Sequence, residues 1–111
     1  MIMAIDHARS GEAVDVRPLG QGVQAERSKA LFKARDLEVV RLVLRTGEHM
    51  APHKVAGDIT IHCLEGALKV TVDGAEQPMR AGQLMYLQGG CPHGLVATED
   101  ASALLTIALP R

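Results

Sequence analysis

The stretch ALKVTVDG, residues 67–74, narrows the choice of fold more than any other part of the chain. Leu68, Val70 and Val72 alternate with Lys69 and Thr71, and an Asp-Gly pair closes the run. Alternation with period two puts successive side chains on opposite faces of a strand, and Asp-Gly supplies the positive φ angles of a tight hairpin turn. The rest of the chain speaks the same language. SKALFKA, a turn at Arg35-Asp36 and LEVVRLVLRTG predict a hairpin, with Val39, Arg41 and Val43 on one face and Val40, Leu42 and Leu44 on the other. DITIHCLEG, GQLMYLQGG, HGLVAT and SALLTIAL read as further short strands between Gly and Pro turns. No stretch of a dozen residues carries helical periodicity. The expectation is an all-β sandwich or small barrel.

A chain of 111 residues suits one domain. Residues 1–25 lack clean periodicity and contain Gly11, Pro18, Gly20 and Gly22. They are expected to form an N-terminal arm, with one strand near AVDVRPL, and residues 26–111 a single barrel domain. The net charge is -1 and the basic residues are scattered, which argues against nucleic acid or an anionic membrane surface as a partner. With only Phe32, Tyr86 and no Trp, base-stacking platforms are excluded too. The apolar runs are too short to span a bilayer, and MIMAIDHARSGEA has no long apolar core of a secretory signal. Cys63 and Cys91 make no disulfide framework, so a reducing cytoplasm is the expected location.

Chemistry concentrates in GEHMAPHKVAGDITIHCLEG, residues 47–66, with three histidines, a cysteine and two glutamates. Gly47 is followed after five residues by His53, then Lys54 and Val55, then after three residues by Ile59, and after six more by Gly66. Later, Gly82 leads through five residues to Gln88, Gly89 and Gly90, two more reach His93, and Ala97 follows after another three. These spacings resemble the two motifs of the cupin family, in its small single-domain, RmlC-like form. The resemblance implies a jelly-roll β-barrel. It also implies a metal site, but with Val55 where the family has a second His and Ile59 where it has a Glu. His53 and His93 keep ligand positions. Ala97 stands at the Asn position and Gln88 at the Pro position.

Branched alkyl groups offer no lone pair, whereas a transition metal takes three or four N, O or S donors from protein. Two histidines alone would hold a divalent cation such as Zn, Fe, Mn or Ni weakly. His62 and His49 are the candidate replacement ligands. Strand alternation puts Ile59, Ile61 and Cys63 on one face and Thr60, His62 and Leu64 on the other. By analogy with the family the first face looks into the barrel, so Val55, Ile59, Ile61, Cys63 and Met85 are expected to line a cavity. A Zn site built from His53, Cys63, Cys91 and His93 is a chemically reasonable alternative. Asp58 and Glu65 are read as solvated groups at a turn and at a strand end.

The resulting expectation is a cupin-like homodimer whose cavity binds a small molecule, with a weak or non-standard metal site at His53 and His93. The alternatives are a metal-dependent dioxygenase or isomerase, and a ligand-sensing or structural homodimer without catalysis. Fold does not choose among them, because function resides in the site.

Overall fold

The computed structural model describes residues 7–110. The expectations placed on residues 1–6, including the start of the arm and the absence of a signal, lie outside the described residues. Seven strands follow a short 3-10 turn at Gly20–Gln24: β1 Lys29–Lys33, β2 Leu37–Leu44, β3 His49–His53, β4 Ile59–Val72, β5 Ala75–Arg80, β6 Leu84–Leu87 and β7 His93–Ala108. Among the described residues no helix is long and apolar enough to cross a membrane.

All strands belong to one antiparallel sheet of order β1-β2-β7-β4-β5, with β3 joined to β7 and β6 to β4. The fold is all-β as expected, and the sheet path is open, with β1 and β5 at its two ends. The sheet folds over on itself, because its two longest strands each serve both halves. In β4, Ile59–Cys63 lies between β6 and the end of β7, whereas Ala67–Val72 lies between β5 and the start of β7.

The sequence reading split each of these long strands in two, and bulges explain why. Register shifts at Cys63/Glu65, Glu65/Ala67 and Ala67/Leu68 bend β4 without ending it. Gly66 makes the bend possible: its φ is 75°, and a Cβ there would lie 2.0 Å from the carbonyl oxygen of Asp100. The same bulges change the parity of the strand. Ile59, Ile61 and Cys63 face the core before them, and Leu68 and Val70 after them.

The hairpin at Asp73-Gly74 joins Val72 to Ala75, and both turn residues have positive φ (49° and 83°). It carries β5, AEQPMR, into the sheet although that segment has no β-branched residue. The β1–β2 hairpin forms as expected, with a bulge between Ala30 and Phe32.

The inner face packs Val40, Leu42 and Leu44 of β2 against Ile59, Ile61, Cys63, Leu68 and Val70 of β4 and Leu95, Ala97, Ala101, Ala103 and Leu105 of β7. Burying a side chain such as Ile61, 0% exposed, contributes about 1.5–3 kcal/mol. The outer face of β2 is covered as well. Val39 and Val43 are buried there outside the main cluster, as are Val23 and Leu31.

The arm forms no strand at AVDVRPL. Side chains on the outer face of the sheet hold it instead. The Glu65 carboxylate accepts the backbone N–H groups of Leu19 and Gly20, each at 2.8 Å, and the hydroxyl of Ser102. Arg41 Nη2 donates to the carbonyl of Arg17 and to Ser102 Oγ, and lies 3.5 Å from Glu65. Further along, Arg45 donates to the carbonyl of Gln24, whose side chain donates to Asp100. Glu65 is thus not the solvated strand-end group expected. Its side chain is 13% exposed and is the main anchor of the arm.

Candidate functional site

His53 ends β3 and His93 begins β7, and the two are direct partners in the antiparallel pairing. Their rings are 4.6 Å apart between centroids and tilted by 49°. His93 continues the inward row of Leu95 and Ala97. Across β4 it is opposite Val72, just as Leu95 is opposite Val70. His93 is 3% exposed, while His53 is open to solvent, so the pair forms one end of the interior with one ring inside and one outside.

Two loops hold this end together. Gly90 N–H donates to the carbonyl of Val55 at 2.8 Å, and Gly89 N–H donates to Asp58 Oδ1 at 2.8 Å. The fit leaves no space for a side chain at Gly89, where a Cβ would lie 2.3 Å from the carbonyl oxygen of Ala56. Asp58, expected to be a turn residue facing water, is exposed but clasps the two motif loops.

Each ring also has a backbone partner. His93 Nδ1 is 3.1 Å from the carbonyl oxygen of Cys91, and His53 Nδ1 is 3.3 Å from that of Ala51. A carbonyl only accepts, so each Nδ1 donates, and the neutral ring keeps its lone pair on Nε2. A histidine fixed in this way presents Nε2 to a ligand proton or a cation.

The interior is alkyl. Ile59 is 3% exposed and Ile61 is fully buried, and Val55, Met50 and Met85 pack half-buried against the same cluster. Val55 and Ile59 therefore occupy the two replaced donor positions as packing groups. Cys63 is fully buried in the core too, and its thiol is held near the carbonyl of Glu65 at 3.4 Å. Burial pushes this thiol's pKa up, which favours an inert S–H.

The other candidates are not brought to the pair. His49 is exposed at the opposite end of β3, beside Val96 of the outward row. His62 lies between Leu84 and Leu104, on the face away from Ile61 and Cys63. The four-donor Zn site does not assemble. Cys63 turns its sulfur to the Glu65 carbonyl, 3.4 Å away, and no group of three such donors forms among the described residues. Cys91 has its sulfur 3.7 Å from Asp73 Oδ2, and partial burial followed by that carboxylate raises its pKa.

Among the described residues no three or more His, Cys, Asp or Glu side chains group where they could hold a metal ion. Two imidazoles, with alkyl groups at the other two donor positions of the motif, fall short of the three or four donors a resident transition metal takes, so the residues present do not fit a family-type metal centre.

Sequence reasoning missed the Arg41–Glu65–Ser102 network. The signal available was Arg41 itself, a charge in the middle of VVRLVL, where a buried cation calls for a buried partner.

Comparison with known proteins was made by family, by curated sequence and by structure. The family model described as "Cupin domain" matches residues 40–109. No curated protein matches the sequence significantly. A conserved protein of unknown function from Streptococcus pyogenes has 27% identity and a TM-score of 0.78, covering 98% of this chain and 99% of its own. A cupin superfamily protein from Desulfitobacterium hafniense has 17% identity and a TM-score of 0.77, over 93% of this chain and 100% of its own. KdgF from Halomonas sp. has 23% identity and a TM-score of 0.68, over 76% and 78%. The last two likenesses are of fold alone.

Proposed function

Because the chain belongs to the cupin family, we propose that it is a small-molecule-binding protein whose apolar interior ends in a pair of hydrogen-bonding histidines. The observation that carries this reading is the contact between His53 and His93, 4.6 Å apart, with both Nδ1 atoms turned to carbonyls. Small-molecule sites combine apolar walls with a few placed polar groups, and this end of the fold has that composition. The two Nε2 atoms would accept from a hydroxyl or amide of the ligand while Val55 and Ile59 contact its hydrocarbon part.

The reading as a metal-dependent dioxygenase or isomerase has less support, since alkyl groups stand at two of the donor positions. A divalent cation held by His53 and His93 alone would be weak and would need donors from water or from the ligand. The protein is further proposed to act as a homodimer. β1 and β6 each pair on one side only, and β6 exposes Leu84 and Tyr86 at 66% and 63%.

The test is elemental analysis of protein purified without tag or chelator, followed by mass spectrometry of the organic extract. A small molecule that co-purifies with the wild type but not with His93→Ala supports the binder. A stoichiometric transition metal lost from His93→Ala would replace this reading with the metal-dependent one.

A further inference from the structure

A concavity lies between the N-terminal arm and the outer face of β1 and β2, and neither His53 nor His93 lines it. It encloses about 790 Å³, within the range of small-molecule pockets. Val14, Leu19, Leu31 and Val43 give it apolar walls.

Its charges are unbalanced. Arg17, Arg27, Lys29 and Arg41 line it against Asp15 and Glu26. Asp15 is used by Arg17 at 2.7 Å. Arg27 and Lys29 are exposed and make no ion pair among the described residues.

Arg41 adds a demand of its own. It is 5% exposed, and its Nη2 serves Arg17, Ser102 and Glu65, yet its buried Nε has no hydrogen-bond partner among the described residues. Buried donors are nearly always satisfied, and this one is left without a partner in a residue that helps line the groove.

We propose that this groove binds a small organic anion, a carboxylate or phosphate ester on a compact apolar body. Arg27 and Lys29 attract and hold its acidic head, and Leu31 and Val43 contact its body. The site is independent of the histidine pair, and the arm, held by Glu65, forms one of its walls.

The test is an amide chemical-shift titration of the full-length protein with benzoate, phenyl phosphate and, as the cationic counterpart, benzylamine. Benzoate or phenyl phosphate should produce saturable shifts at Lys29, Leu31 and Val43, with a millimolar or tighter Kd, and benzylamine none. The double variant Arg27→Gln/Lys29→Gln changes only exposed side chains, and should bind about 10-fold more weakly while giving the wild-type spectrum elsewhere. The proposal is overturned by absence of saturable shifts up to about 10 mM of either anion, a bound that corresponds to no useful affinity. It is also overturned by equal binding of benzylamine, by unchanged affinity in the double variant, or by shifts confined to His53 and His93.

Discussion

Replacing Glu65 by Gln removes a charge from the middle of the outer-face network and should cost more than any exposed substitution. The wild-type carboxylate accepts from Leu19, Gly20 and Ser102 and faces the Arg41 guanidinium at 3.5 Å. The amide keeps one accepting oxygen, but sets an NH2 group against donors and leaves Arg41, with its side chain 6% exposed, without a counter-charge. Hydrogen bonds to a charged group contribute about 1.5–3 kcal/mol each, and breaking a buried ion pair costs about 3–5 kcal/mol. These overlap, so the expected loss is about 3 kcal/mol, a fall in Tm on the order of 15 °C for a domain of this size. Urea and thermal unfolding followed by circular dichroism at pH 7 would measure it.

The same substitution has a pH signature. Burial by itself would raise the Glu65 pKa, but hydrogen bonds from Ser102, Leu19 and Gly20 and the Arg41 charge outweigh it and hold the group below its ordinary 4.5. A depressed folded-state pKa contributes stability that is complete above the unfolded value and is lost as pH falls through the folded one. The wild type should therefore lose this advantage in the acid range below about 4.5, and the gap between wild type and Glu65→Gln should close there. A loss below about 1 kcal/mol at pH 7, or a gap that does not narrow in acid, would refute the view that Glu65 anchors the arm.

Four further outcomes are expected. His93→Ala should stay folded, because its ring is at the end of the interior, and should lose the co-purifying ligand, which extraction and mass spectrometry would reveal; retention of the ligand would end the reading of this pair. Val55→His/Ile59→Glu puts donors back at the two replaced positions: the metal-free variant should be destabilised by roughly 3 kcal/mol through its buried carboxylate, and Zn or Mn at 100 times its Kd should return about 2.7 kcal/mol in a thermal-shift assay, with no metal response meaning that these positions do not converge. Gly66→Ala should cost about 3 kcal/mol or more, combining a positive-φ penalty with a Cβ placed 2.0 Å from the Asp100 carbonyl, and near-wild-type denaturant stability would contradict the close crossing of β4 and β7. Light scattering at high protein concentration should report a homodimer, and a monomer would remove that proposal.

The sequence by itself determined the strand content and the family. ALKVTVDG dictates a hairpin because two-fold alternation and a positive-φ turn are local properties of a few residues, and the structure has that turn at Asp73 and Gly74. The spacing from Gly47 to His93 identified the cupin relationship, and with it that His53 and His93 belong together, because motif spacing records which turns the chain must make.

Tertiary structure alone decided what is non-local. That ITIHC and LKVTV form one bent strand depends on Asp100 crossing at Gly66, a contact between residues far apart in sequence. That AEQPMR is a strand depends on the partner the hairpin gives it rather than on its own propensity. The role of Glu65 was hidden for the same reason. A carboxylate before a glycine reads as solvated until Arg41 of β2, Ser102 of β7 and two N–H groups of the arm are brought around it. The open path of the sheet belongs here too, since closure depends on whether the first and last strands meet, and nothing in either strand's own residues specifies that.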